Sequence, residues 1–278
     1  MAVFSFALDW IRNSAMKNPF YQFALIRNYA RAVGWTAAIR LRFYDLLVRA
    51  HVRKTRPVQI KLKNAKHMLF MRMGTSDREV LGQIFIEEEY QPIALSGPQA
   101  IIDLGANVGY SSAYFLSKYP NASVLAVEPD PANHAVCVSN LAAFGTRGRV
   151  LLGAAWPEIS KLALNRGAWR DGRDWTTQVE LASGEGTVSA PVEAYDMPTL
   201  IRLSGFTEID LLKIDIEKSE IELFSRNTEL WLPSIRNLCI ELHGPDCEAV
   251  FFRALSDYSY DLSQSNELTV CRNLRPRQ

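Results

Sequence analysis

Hydrophobic and polar positions change rhythm twice along this chain. Between residues 4 and 54 apolar side chains recur at helical spacing: Phe20, Phe23 and Ile26, then Trp35, Ile39, Phe43, Leu46 and Leu47. Pro19 and Gly34 divide the stretch into about three helices, and Pro57 marks its end. Residues 58–73 alternate instead. Val58, Ile60 and Leu62 precede the turn-like Asn64-Ala65-Lys66, and Met68, Phe70 and Met71 follow it, which predicts a β-hairpin. Asp77 then stands as a helix N-cap, with a helix from Arg78 toward Glu87–Glu89.

From residue 100 short apolar runs alternate with helical patterns. Strands are predicted at 101–104, 123–128, 149–153, 209–215 and 238–242. Helices are predicted at 110–118, from Pro131 to about Phe144, near Pro198–Leu203, from about Ser219 to Arg226, and at 246–257. Two short strands, roughly 258–263 and 267–272, close the chain. Residues 157–190 carry Gly172, Gly184 and Gly186 and predict short antiparallel strands. Serial βαβ units imply an α/β fold: a doubly wound, mostly parallel sheet with ligands at its carboxyl edge. The expected organisation is a helical appendage over 1–56 and one domain over 57–278.

Composition adds one asymmetry. Apolar residues make up 48% and charged residues 22% of the 278, ordinary values for a globular chain. The net charge of +1 offers no overall field for nucleic acid. Yet residues 1–56 hold ten Lys or Arg against Asp9 and Asp45, so this segment is strongly basic. Basic residues among aromatics on amphipathic helices suit an anionic membrane surface. The plainer expectation is packing on the domain or on a second subunit of a homo-oligomer. Cys137, Cys239, Cys247 and Cys271 are scattered, which suggests reduced thiols in a cytoplasmic protein. No uninterrupted apolar run reaches the length of a membrane span, and the N-terminus lacks a signal-peptide pattern.

The chemistry concentrates in three places. Ile101-Ile-Asp-Leu-Gly-Ala-Asn-Val-Gly-Tyr110 reads as strand, tight turn and helix, a cradle for a nucleotide-like ligand in which Gly105 and Gly109 let backbone approach closely. The next strand ends in Glu128, a carboxylate suited to ribose hydroxyls. Asp103 with Glu128 points to S-adenosylmethionine. An NAD-dependent oxidoreductase is disfavoured because Asn107 stands where a pyrophosphate site needs glycine. In Leu211-Leu-Lys-Ile-Asp-Ile-Glu217, Lys213, Asp215 and Glu217 share a face by the period of two. Such charges are costly unless paired, so the bland role is a Lys–carboxylate pair and the functional one is the mouth of the cleft. The strand to Leu242 brings Glu241 and His243 alongside. His243 is a candidate general base, a candidate ligand for a divalent metal with Asp215, Glu217 and Glu241, or a structural residue before Gly244-Pro245. Trp156, Trp169 and Trp175 are candidates for a pocket wall or for core packing.

These residues together resemble the FkbM family of S-adenosylmethionine-dependent methyltransferases. The resemblance is carried by Thr75-Ser-Asp77, Tyr90, Asp103-Leu-Gly-Ala-Asn-Val-Gly109, Glu128-Pro-Asp130, Leu212-Lys-Ile-Asp-Ile-Glu217 with Glu220, and Glu241-Leu-His243. It covers about residues 58–245. It implies a class I methyltransferase fold and O-methylation of a small-molecule hydroxyl, on a sugar or natural product. It also implies cofactor contacts at Asp103, Gly105, Asn107, Gly109 and Glu128; Asp77 and Pro129 are further cofactor-binding candidates, and His243, Asp215 and Glu217 are the catalytic candidates. One position departs: the family pattern has Gly after the second carboxylate, and here Lys218 and Ser219 follow. A non-catalytic cofactor-binding or membrane-recruited protein on the same fold is the rival that Lys218 supports.

Overall fold

The computed structural model describes residues 27, 29–49, 57–166, 177–181 and 191–277. Its centre is a seven-stranded sheet in which β3 (Ala100–Leu104), β4 (Ser123–Glu128) and β5 (Gly148–Leu152) run parallel outward to one side. On the other side β10 (Leu211–Ile214) and β11 (Leu238–Glu241) continue the parallel set. The antiparallel β13 (Leu268–Pro276) and β12 (Tyr258–Ser265) finish that edge. Strand order therefore reverses between β3 and β10, which opens a crevice at their carboxyl ends.

Alternation along the strands builds two cores. Ile101, Val124, Ala126, Leu211 and Cys239 face one apolar cluster, while Ile102, Leu104, Leu125, Val127, Leu212 and Ile214 face the other. The first is covered by α2 (Asp77–Phe85), α3 (Tyr110–Lys118) and α4 (Pro131–Leu141), the second by α5 (Met197–Ser204), α6 (Glu220–Ser225) and α7 (Pro245–Ala254). β1 (Pro57–Ile60) and β2 (Leu69–Arg72) form the expected hairpin. Between the parallel units, β6 (Ala154–Ala155), β7 (Ser160–Arg166), β8 (Thr177–Leu181) and β9 (Val192–Tyr195) form a separate four-stranded sheet.

The structure corrects several expectations. α2 begins at Asp77, with Ser76 at the N-cap position, so Asp77 is not the cap; its carboxylate is engaged elsewhere. The helix from Pro131 stops at Leu141 and gives way to a 3₁₀ segment, Ala142–Arg147. β10 ends at Ile214, so Asp215 and Glu217 leave the strand and the period of two does not align them. In helix α1 (Trp35–Arg49) the expected apolar face is reversed: Trp35, Ile39 and Phe43 are 51%, 57% and 63% exposed. Leu41, Tyr44 and Val48 of this helix, with Tyr29, Ala32 and Val33 just before it, pack on the domain instead. Tyr29 donates its hydroxyl proton to the Arg78 carbonyl oxygen. The earlier helices expected in residues 4–26, and Trp169, Trp175, Gly172, Gly184 and Gly186, lie outside the described residues. Trp156 is buried in a small cluster with Ala154, Leu162 and Ala194, a packing role.

Candidate active site

A cavity opens at the carboxyl edge, over the turn between β3 and α3. That turn is held from below. Gly105 has φ +70, and a Cβ there would lie 1.7 Å from the Asp215 carbonyl oxygen. Gly109 has φ +82, and its Cβ would meet Cys137 Sγ at 2.7 Å. Contacts within the protein thus require glycine at both positions.

Four of the seven expected cofactor residues line the cavity: Gly105, Asn107, Glu128 and Pro129. Glu128 ends β4 and is nearly fully buried. Its Oε2 accepts from the Asn107 N–H at 2.8 Å and its Oε1 from the Asp130 N–H at 2.9 Å. Burial nonetheless pushes this carboxyl up to about 7, the two N–H donors opposing the shift. Asp130 caps α4 by accepting from Ala132 and Asn133 N–H groups, and so fixes the β4–α4 turn.

Asp103, Gly109 and Asp77 stand behind the lining. Asp103 is wholly buried, accepts from Ser111 and Ser112 hydroxyls at 2.6 Å, and pairs with Lys213 Nζ at 3.1 Å. Lys213 also donates to the Gly105 carbonyl at 2.9 Å and lies 3.9 Å from Asp215. Burial opposes its charge, but Asp103 and Asp215 outweigh that and hold the ammonium well above its ordinary range. The Lys–carboxylate pair expected from the strand is therefore present, and it clamps β10 to the glycine turn. Asp77 pairs with Arg72.

The opposite wall is acidic. Asp215, Glu217 and Glu241 line it, joined by Glu89 and Glu267, two acids outside the expected site. His243 lies behind these acids with its side chain 1% exposed. Its Nδ1 is 3.1 Å from Glu220 Oε1, and its Nε2 is 3.7, 3.5 and 3.4 Å from Asp215, Glu217 and Glu241. Burial opposes protonation, yet Glu220, Glu241 and Asp215 push the imidazole up to about 11. His243 thus stands behind the cavity lining, within reach of Asp215, Glu217, Glu220 and Glu241. Asp215, Glu241 and His243 each offer one ligand atom, all within 4.8 Å of one another.

Glu89 belongs to the run Glu87-Glu88-Glu89, toward which a helix from Arg78 is expected. The helix stops at Phe85. Glu88 then turns with φ +53, and Glu89 comes inward beside the buried Tyr90. Burial, then Glu241, Asp215 and Glu267, push Glu89 up to about 7. The Tyr90 of the family pattern was the available signal. Glu267 sits in the turn between β12 and β13, where the sequence offered none.

A family profile described as the methyltransferase FkbM domain matches residues 103–262. Methyltransferase sdnD of Sordaria araneosa is 26% identical over 213 residues, 66% of this chain and 81% of that protein. The 31-O-demethyl-FK506 methyltransferase FkbM of Streptomyces tacrolimicus is 25% identical over 194 residues, 59% of this chain and 74% of the relative. The crystal structure of methyltransferase FkbM from Methylobacillus flagellatus KT aligns with a TM-score of 0.46 at 16% identity. That alignment covers 64% of this chain and 44% of the solved one, so the chain spans less than half of that protein.

Proposed function

The chain belongs to the methyltransferase FkbM family, and we propose that it moves a methyl group from S-adenosylmethionine to a hydroxyl of a small molecule such as a sugar or natural product. Glu128 carries the reading: a buried carboxylate at a strand end, facing the cavity beside Gly105 and Asn107. Ribose hydroxyls are the donors that would favour its charged form over the neutral form burial promotes. S-adenosylmethionine supplies an electrophilic methyl on a sulfonium. Glu128 would hold the ribose, and the glycine turn, clamped by Lys213, would carry the chain toward the acidic wall.

Transfer in such a site rests on holding the acceptor oxygen in line with the methyl carbon. As the oxygen–carbon bond forms, the carbon–sulfur bond would break with its electron pair left on sulfur, giving S-adenosylhomocysteine, and the hydroxyl proton needs a base. Asp215 and Glu89 both face the cavity, and Glu89, pushed up to about 7, suits that role best. The acidic wall also favours a neutral or cationic acceptor over an anionic one. Calorimetry with S-adenosylmethionine, S-adenosylhomocysteine and NAD tests the cofactor, and an acceptor screen with labelled methyl donor tests the reaction. Binding of NAD with no binding of the other two would sink the proposal. Cofactor binding without transfer to any acceptor would favour the non-catalytic rival.

The proximity of the Asp215, Glu241 and His243 ligand atoms supports a second reading, a divalent cation on the acidic wall. Glu220 holds Nδ1 of His243, leaving Nε2 toward the two carboxylates. A cation there would lower the pKa of an acceptor hydroxyl. Magnesium chloride titrated into chelator-treated protein should release heat, and transfer should fall after chelation and return with magnesium. Equal rates with and without chelator would remove this reading.

A further inference from the structure

We propose that Asp77 and Arg72, neither of which faces the cavity, position Glu128 for the ribose through Asn133. This inference rests on the S-adenosylmethionine reading above. The two residues lie on the hairpin and on α2, outside the residues matched to the family domain. Thr75 closes the short connection between them by donating its hydroxyl to the Arg72 carbonyl at 3.0 Å.

Asp77 holds Arg72 with two parallel bonds. Nε donates to Oδ2 at 3.0 Å and Nη2 to Oδ1 at 2.7 Å, and the Arg72 backbone N–H adds a third bond to Oδ2 at 2.8 Å. The Asp77 side chain is 1% exposed, so the guanidinium plane is set by a buried anion. The same Nη2 donates to Asn133 Oδ1 at 2.8 Å. A guanidinium has donors alone, so it selects the oxygen end of the Asn133 amide. The amide nitrogen is thereby turned toward Glu128, 3.4 Å from Oε1. Asn133 and Glu128 are both 4% exposed, and both line the cavity.

The relay does two things that the backbone donors of Asn107 and Asp130 do not. It adds a side-chain donor from within α4 to Oε1. It also brings the dipole of an amide polarised by Arg72 to an anion that burial destabilises. Glu128 would then present an ionised, oriented carboxylate to the ribose hydroxyls.

The test compares S-adenosylhomocysteine with its 2′-deoxyribose analogue by calorimetry. The double variant Arg72→Met with Asp77→Asn removes both charges together and leaves no orphaned buried ion. Arg72→Lys retains a cation but not the fork that reaches both partners. The unaltered protein should prefer the ribose ligand, and each variant should lose about tenfold of that preference. Its affinity for the deoxy analogue should stay within about twofold. Equal weakening toward both ligands, or an unchanged preference, would overturn the relay. Should the unaltered protein not bind S-adenosylhomocysteine, the cofactor reading falls and this inference with it. A preference that survives Glu128→Ala would instead show that Glu128 does not read the ribose.

Discussion

At the scale of single residues, environment decides more than residue type. Glu89 and Glu88 are neighbours of one kind, yet one is exposed and the other is drawn under the acidic wall. A base must be ionised to take a proton, and Glu89 ionises as pH rises through about 7. Methyl transfer should therefore climb with pH across that region. Glu89→Gln should cost about 10²–10⁴ in rate and erase that limb of the profile, with cofactor affinity nearly constant. An unchanged pH–rate profile in Glu89→Gln would move the base role to Asp215. Lys218 shows the converse, a residue type set against its backbone. It occupies φ +76 directly after Glu217 at φ +50, a conformation that glycine adopts freely and other residues adopt at a cost of about 1–2 kcal/mol. The glycine of the family pattern fits this turn for that reason. Lys218→Gly should raise stability by up to about 1 kcal/mol after the larger entropy of unfolded glycine is subtracted, read as a higher midpoint in urea. A lower midpoint would show that the lysine side chain outweighs its backbone strain.

At the scale of elements, the site depends on how closely β3 and β10 approach beyond their last paired residues. The Asp215 carbonyl oxygen occupies the space where residue 105 would carry a Cβ, and the Lys213 ammonium ties the Gly105 carbonyl to Asp103. Gly105→Ala must push these elements apart or distort the turn. It should cost about 2–4 kcal/mol in stability and weaken S-adenosylhomocysteine binding. A variant with native stability and affinity would mean the turn relaxes without disturbing Asn107 and Glu128. The strands themselves were legible because Ile101-Ile102 and the run Val124 to Val127 are apolar on both faces, the mark of a central parallel strand. Where they stop was not. Asp215 and Glu217 continue an alternating pattern but lie in a loop, since strand pairing ends where β3 turns away at Gly105.

At the scale of the whole molecule, the basic N-terminal segment joins the main body through residues 29–49. Ala32 and Val48 share an apolar cluster with Ile60, Leu62 and Leu81. Removing residues 1–56 should expose that cluster and lower the melting temperature. Solution mass and binding to anionic vesicles, measured on the same truncated protein, separate a subunit contact from a membrane contact. Unchanged melting, mass and activity with lost vesicle binding would favour the membrane. Among the described residues no helix is long and apolar enough to cross a bilayer. The sequence by itself determined the order of strands and helices, the parallel sheet and the glycine turn with Glu128 following it. These follow from local periodicity and from backbone demands that a few consecutive residues reveal. The tertiary structure decided the rest. His243 is enclosed by acids from β11, α6 and the loop after β10, and Asp77 connects to Glu128 through Arg72 and Asn133. Burial and charge at a point are sums over every element that arrives there, and no window of sequence contains that sum.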